Sequence, residues 1–240
     1  KGIWATRRPN ILPMTTDLIA DIRRAAERMK AIYPSPDKLT GLMRTSADAA
    51  VDGVAIVHYQ GEQRIKLGRR NIAWSAETGA SSKISFVFRM AFIGDLAAAY
   101  HVLRDERYAE AARDYLAEYM TAWPMDKIGK NKDADNTLTL CCRNATWSRS
   151  LHLLVASPAF DAAFVARVVA HITAQFLFLR KNLKPGINWR VFEARNLLAG
   201  SLYLAFLDQA ADWRDHSVRV LNDAWFRQFL PDGVHYERNP

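Results

Sequence analysis

Residues 88–123, FRMAFIGDLAAAYHVLRDERYAEAARDYLAEYMTAW, decide the fold class. Apolar side chains recur at helical spacing on both sides of Asp105, a capping residue that interrupts the pattern. The stretch therefore reads as two helices, 84–104 and 105–122, folded back on each other. The pattern continues downstream as helices over 137–156, 159–183, 188–210 and 213–229, with short breaks at Pro124, Pro158, Pro185–Gly186 and Asp212. Connections this short join antiparallel neighbours. No sequence repeat of fixed period runs through them, which disfavours the standard helical repeat families. The expected fold is all-α, with helical hairpins layered around a shared axis or stacked as a solenoid.

Upstream, residues 15–33 open on Thr and Asp in capping positions, place Leu18, Ile22, Ala25, Met29 and Ile32 on one face, and stop at Pro34. Residues 53–67 are β-branched on both sides of Gly61 and read as a hairpin, the one strand-like signal. Phe86, Phe88, Phe92, Tyr115, Tyr119, Phe176 and Phe178 fall on apolar helix faces, where core packing is the expected role.

With 240 residues the chain can bury a sizeable core, and 50% apolar with 24% charged residues is ordinary for a globular protein. A formal charge of +8 biases the surface toward anionic partners: nucleic acid, anionic lipid or an acidic polysaccharide. The basic residues are scattered over several helices and loops rather than set in one stripe, which ranks nucleic acid last. There is no uninterrupted apolar run of membrane-spanning length and no leader pattern at the start. Cys141 and Cys142 are adjacent, poor geometry for a structural disulfide and too few ligands for zinc, so they read as core filler. No metal site is expected.

Three polar clusters stand apart from the core pattern. In CCRNATWSRS (141–150), Arg143 and Trp147 share a helix face with Asn144 beside them. A guanidinium next to an indole suits a sugar acid, holding the carboxylate in bidentate fashion while the ring covers the sugar; it equally suits a cation–π pair at a helix boundary. In PGINWRVFEARN (185–196), Asn188 stands where a helix begins, followed by Trp189, Arg190 and Glu193. Asn188 is a good N-cap, and Arg190 with Glu193 could form an i, i+3 pair on a solvated face. In LPDGVHYERNP (230–240) a turn carries His235, Tyr236, Glu237 and Arg238.

Taken in order, these strings resemble the N-terminal helical domain of the heparinase II/III and alginate lyase superfamily, with a heparinase III-like flavour. The matching segments are 88–123, RNATW (143–147), NWRVFEARNLLAG (188–200), and Trp213 with RQFLPDGVHYERNP (227–240). The resemblance implies an incomplete (α/α) toroid over 84–240 preceded by an N-terminal helical segment and hairpin over 1–83. It implies further toroid helices and a β-sandwich domain beyond Pro240, with a catalytic tyrosine in a Tyr-His pair just past that residue. Lys1 in place of a starting methionine agrees with an excerpt of a longer chain.

By resemblance, the reaction is β-elimination at a uronic acid, with Asn188 neutralising the substrate carboxylate. Arg143, Asn144, Trp147, Trp189, Arg190, Glu193, His235 and Glu237 become candidate substrate contacts, Glu193 as an orienting group. Many relatives carry Asn-His or Asn-Asn where this chain has Asn188-Trp189, which bears on substrate preference. No cofactor is expected in this segment, and a structural metal in a downstream β domain is compatible with the family. The partner would be an acidic polysaccharide, heparan-sulfate-type glycosaminoglycan first, with no nucleic acid and no membrane, in a bacterial periplasmic or secreted protein. A noncatalytic glycan-binding or exopolysaccharide accessory domain is the competing expectation.

Overall fold

The computed structural model describes residues 17–32, 34–58, 60–72, 74, 81–131, 134–185 and 188–228. Helix α1 spans Leu18–Met29 and α2 Gly41–Val51; strands β1 (Val54–His58) and β2 (Glu62–Lys66) follow. Then come α3 (Ser81–Phe88), α4 (Phe92–Leu103), α5 (Glu106–Ala122), α6 (Thr137–Leu154), α7 (Ala162–Asn182), α8 (Asn188–Tyr203) and α9 (Ala210–Gln228). The all-α expectation and the hairpin both hold.

Side chains from the preceding loop start most of these helices. Asp17, Thr40, Asp105, Asn136 and Asp161 each accept a backbone N–H from the first turn of their helix, satisfying donors that the helix itself leaves orphaned. Three boundaries differ from the sequence reading. The helix expected over 84–104 is two helices, because Met90 adopts a left-handed conformation, φ 51°, and turns the chain between α3 and α4. The helix expected over 188–210 ends at Tyr203, and α9 begins at Ala210 rather than 213. Helix α2 had no counterpart in the sequence reading.

Pairwise contacts fix the layering. Arg143 of α6 meets Gln175 of α7 while Trp147 meets His171, so these two helices run antiparallel. Phe92 of α4 packs on Tyr115 of α5 at 4.9 Å between ring centroids. Asn196 of α8 reaches Cys141, and Tyr203 reaches His152, so α6 and α8 run in the same direction. Helix α6 packs against α4 on one side and α8 on the other. Helices α5 and α7 share a direction in the opposite sense, with Tyr119 on His171 and Arg113 over Phe164. This two-row alternation is the arrangement expected of part of an (α/α) toroid.

Helix α2 lies on α4, and α1 touches α6, α7 and α8. The hairpin is antiparallel, with Val54 opposite Lys66 and His58 opposite Glu62. It hangs on Gly53, whose carbonyl accepts from the amides of both Leu67 and Gly68 and whose φ of +82° favours glycine. One continuous core joins everything from Ile22 through the hairpin's Val57 and Ile65 to Trp213. Trp74, from the segment ahead of α3, is wedged into it beside Phe88, Tyr119 and Trp123. The stretches Ser85–Leu103 and Ala162–Asn182 are long and apolar enough to cross a membrane by length and composition, and both bury most of their large apolar side chains in this core.

Candidate functional site

Because α6 and α8 run in parallel, their first turns lie side by side, near the end of α3. Asn188 is the first residue of α8, and Asn188, Trp189 and Arg190 are all half-buried on its opening turn. The unpaired amides and dipole of a helix start favour an anion there. One turn further on, Glu193 points inward and is fully buried. Its Oε2 accepts the backbone N–H of Lys184 at 2.8 Å, which ties down the loop leading into Asn188. Burial pushes the Glu193 carboxyl above the usual range; the nearby Thr137 hydroxyl, the Lys184 amide and the charges of Lys184 and Arg190 oppose this. Glu193, expected as an orienting group, holds the backbone of Lys184, four residues ahead of Asn188. Full burial removes it from the expected substrate contacts.

Orphaned polar atoms gather at this point. Arg190 Nε is buried with no hydrogen-bond partner among the described residues, and Glu193 Oε1 and Thr137 Oγ1, close enough to interact, make no hydrogen bond of good geometry. Leaving such atoms unpaired is costly, and functional sites are where that cost is tolerated. Positive charge also collects nearby: burial lowers the pKa of His216 on α9, and the charges of Arg180, Arg219 and Arg190 lower it further against Asp212.

The expected sugar clamp on α6 needs correction. Arg143 and Asn144 are 0% exposed and Trp147 is 1% exposed, so none of the three reaches a surface. Arg143 donates through Nη1 to the carbonyls of Phe88 (3.1 Å) and Ala134 (2.7 Å), and through Nε to Gln175 Oε1 (2.8 Å). Asp135 lies 3.7 Å from its Nη2. The guanidinium sits over Tyr119, 4.6 Å from the ring centroid, rather than over Trp147. Trp147 instead meets Tyr119 edge-on at 5.3 Å. The cation–π alternative was the right kind of contact with a different ring.

The same arginine begins a buried relay that the sequence did not disclose. Gln175 Nε2 donates to His171 Nδ1 at 2.7 Å, so His171 carries its proton on Nε2 and donates it to the Trp123 carbonyl at 2.8 Å. That pairing requires a neutral ring, and burial accordingly lowers the His171 pKa to about 4. Asp135 Oδ2 accepts from the amides of Gly129 and Asn131. Burial raises the Asp135 carboxyl, with Arg143 opposing. The network therefore pins the α5–α6 connection, at Trp123, Ala134 and Asp135, to α6, α7 and the end of α3. Its role is to fix the rim on which the first turns of α6 and α8 stand.

Cys141 is buried, donating to the Leu138 carbonyl and accepting from Asn196 Nδ2, in keeping with its expected place in the core; Cys142 is only half-buried. Among the described residues no three His, Cys, Asp or Glu side chains converge as metal ligands. His235 and Glu237 lie outside the described residues.

Comparison with known proteins bears on this geometry. The sequence profile of the heparinase II/III N-terminus matches residues 22–240. A heparin-sulfate lyase of Pedobacter heparinus is 31% identical over 150 residues, which is 60% of this chain and 22% of that protein. The crystal structure of heparan sulfate lyase HepC from Pedobacter heparinus superposes with a TM-score of 0.78 at 22% identity, over 92% of this chain and 36% of that one. A crystal structure of heparinase III gives 0.78 at 17% identity, over 96% and 40% of the two chains. These likenesses show the fold, and the chain spans well under half the length of the relatives it matches.

Proposed function

The chain belongs to the heparinase II/III N-terminus family, and from that premise we propose that it is the N-terminal part of a polysaccharide lyase. The substrate we propose is an acidic polysaccharide containing uronic acid, of heparan sulfate type, cleaved by β-elimination. The observation that carries the reading is the opening turn of α8. Asn188, Trp189 and Arg190 stand there together, half-buried, above orphaned buried polar atoms and within a field of arginines.

A base takes the proton from C5, the electron pair becomes the C4–C5 double bond, the C4–O4 bond breaks, and O4 leaves with a proton. The C5 proton is weakly acidic while the adjacent carboxylate is charged, so the enzyme must draw that charge off. Asn188 does so by donating its side-chain amide to a carboxylate oxygen at a helix start, where the dipole favours developing negative charge. Arg190 holds an acidic group on the sugar, and Trp189 covers a sugar face. His235 and Glu237 are the proposed contacts on the segment after α9. The base is a tyrosine expected beyond Pro240, and a polymer of this kind makes the protein periplasmic or secreted.

The test uses the full-length protein and follows the ultraviolet absorbance of the unsaturated uronate product on heparan sulfate, hyaluronan and alginate. Asn188→Ala should lower kcat by about 10²–10³-fold on the polymer that is cleaved, as for loss of a charge-stabilising donor. No product from any uronate polymer refutes the lyase reading. Binding without product transfers the site to a glycan-binding role.

A further inference from the structure

A groove of about 420 Å³ lies on the side of α6 away from the α8 turn. Helix α2 supplies Met43, β1 supplies Ile56 and His58, the end of α3 supplies Phe86, the turn after it Arg89, and α6 Cys142. It runs on past Asp95 and Thr146 into a smaller cavity of about 190 Å³ that reaches Arg149. None of this was assigned a role by the sequence motifs.

Its chemistry is uneven in a telling way. Most of the wall is apolar, yet Arg89 stands in it with its guanidinium 4.0 Å over the Phe86 ring. Stacking occupies one face of the guanidinium, and Arg89 as a whole is half-buried in the groove wall. Arg89 Nε is buried without a hydrogen-bond partner, and among the described residues Arg89 enters no ion pair, unlike Arg143, which pairs with Asp135. A half-buried arginine without a counter-charge is a seat for an anion. Opposite it, Asp95 Oδ2 accepts from Ser46 Oγ at 2.6 Å. Burial raises the Asp95 carboxyl, opposed by Ser46 and His58. Asp95 already accepts one hydroxyl there and can serve as an acceptor for a hydroxyl of a bound sugar. A cation, a hydroxyl acceptor and an apolar floor are what one acidic sugar unit requires.

We propose that this groove is a second subsite for an anionic sugar unit, with Arg89 holding its carboxylate or sulfate and Asp95 accepting one of its hydroxyls. It rests on the lyase reading and adds to it. The groove and the α8 turn flank α6, since Asn196 of α8 touches Cys141 while Cys142 faces the groove. Adjacent helices pack about 8–10 Å apart, so one polymer can span both positions. Arg89 then acts as a substrate-positioning residue for a sugar away from the bond that breaks.

Cys142 provides a reporter that does not depend on catalysis. Interaction with the adjacent Cys141 thiol, followed by the charges of Arg89 and Arg143, lowers the Cys142 pKa to about 7 against its burial. The Cys141 thiol is pushed up and buried, so iodoacetamide should alkylate Cys142 in preference. The experiment measures alkylation of the Cys142 peptide by mass spectrometry in the full-length protein, in an Asn188→Ala background so that the sugar is not consumed. The probes are a heparan sulfate hexasaccharide and an unsulfated heparosan hexasaccharide; protection by both assigns the carboxylate, and by the first alone the sulfate. Each variant is compared with and without sugar, because Arg89→Ala also slows the unprotected reaction. The concentration giving half protection should rise about tenfold in Arg89→Ala, the effect of losing one charge-assisted hydrogen bond. Asp95→Asn, a milder change, should raise it less.

In the parallel assay of cleavage, Arg89→Ala should raise KM with little change in kcat. Cleavage by the wild type with no protection of Cys142, or protection equal in Arg89→Ala, overturns the subsite and leaves the lyase reading standing. Neither cleavage nor protection overturns both.

Discussion

Replacing Arg143 by methionine separates a structural arginine from a sugar contact. The substitution removes a fully buried guanidinium with three hydrogen bonds, to Phe88, Ala134 and Gln175, and strands Asp135 beside it. Removing one partner of a buried ion pair costs about 3–5 kcal/mol, because the other charge remains buried and uncompensated. Methionine recovers part of the volume but none of the donors, so roughly 4 kcal/mol is expected. For a domain of this size each kcal/mol lowers Tm by about 2–4 °C, so the transition should fall by roughly 8–16 °C. Differential scanning calorimetry of the full chain measures it, with Asp135→Asn and the double variant completing a cycle. The double variant should be less destabilised than the sum of the singles, since the stranded charge is then gone. An Arg143→Met protein that keeps its Tm within about 2 °C but loses affinity for acidic oligosaccharide would refute the reasoning and restore Arg143 as a contact.

Acid should weaken the fold through two histidines. His171 and His152 are held to about 4 by burial against an ordinary 6.5. Their contribution is complete above pH 6.5 and is lost as the pH falls toward 4, at most about 3 kcal/mol each. Asp135 and Glu193, whose carboxyls burial raises, work in the opposite sense and blunt the loss. Urea midpoints from pH 7 to 4.5 should fall in the wild type and fall less in His171→Gln; identical slopes contradict the neutral-histidine relay. Gly200→Ala should destabilise by about 2–3 kcal/mol although alanine is the better helix former by about 1 kcal/mol, because the added Cβ would run into the Phe176 ring, itself packed on Trp213. A urea midpoint at or above wild type would show that Phe176 can move aside.

The helices from α5 onward were legible because their apolar period is long and their ends carry Asp, Asn or Pro. Helix α2 was not. It packs through Ser46, Ala47 and Ala50, side chains too small to stand out as an apolar face, and only its Thr40 cap is a signal. The break between α3 and α4 rests on a left-handed methionine, which no local rule marks. The site divides in the same way. Asn188 could be placed at a helix start because Pro185 and Gly186 precede it. The burial of Arg143 could not be read, because its partners come from Phe88, Ala134 and Gln175, brought together only by the packing of α3 and α7 on α6.

That difference explains how the family strings divide their work. RNATW packs: its arginine and tryptophan fill the interior, and Arg143 ties the end of α3 and the segment before α6 together. NWRVFE opens at the rim itself, with Asn188 and Arg190 half-buried and Glu193 holding the backbone of Lys184. The indole of Trp189, half-buried beside Asn188, belongs to this second class. On the proposed lyase reading, it offers an apolar surface beside Asn188 for a sugar face. Trp189→His should therefore leave Tm nearly unchanged while shifting KM between sulfated and unsulfated uronate polymers. A large loss of Tm with unaltered preference would move Trp189 into the packing class with Trp147.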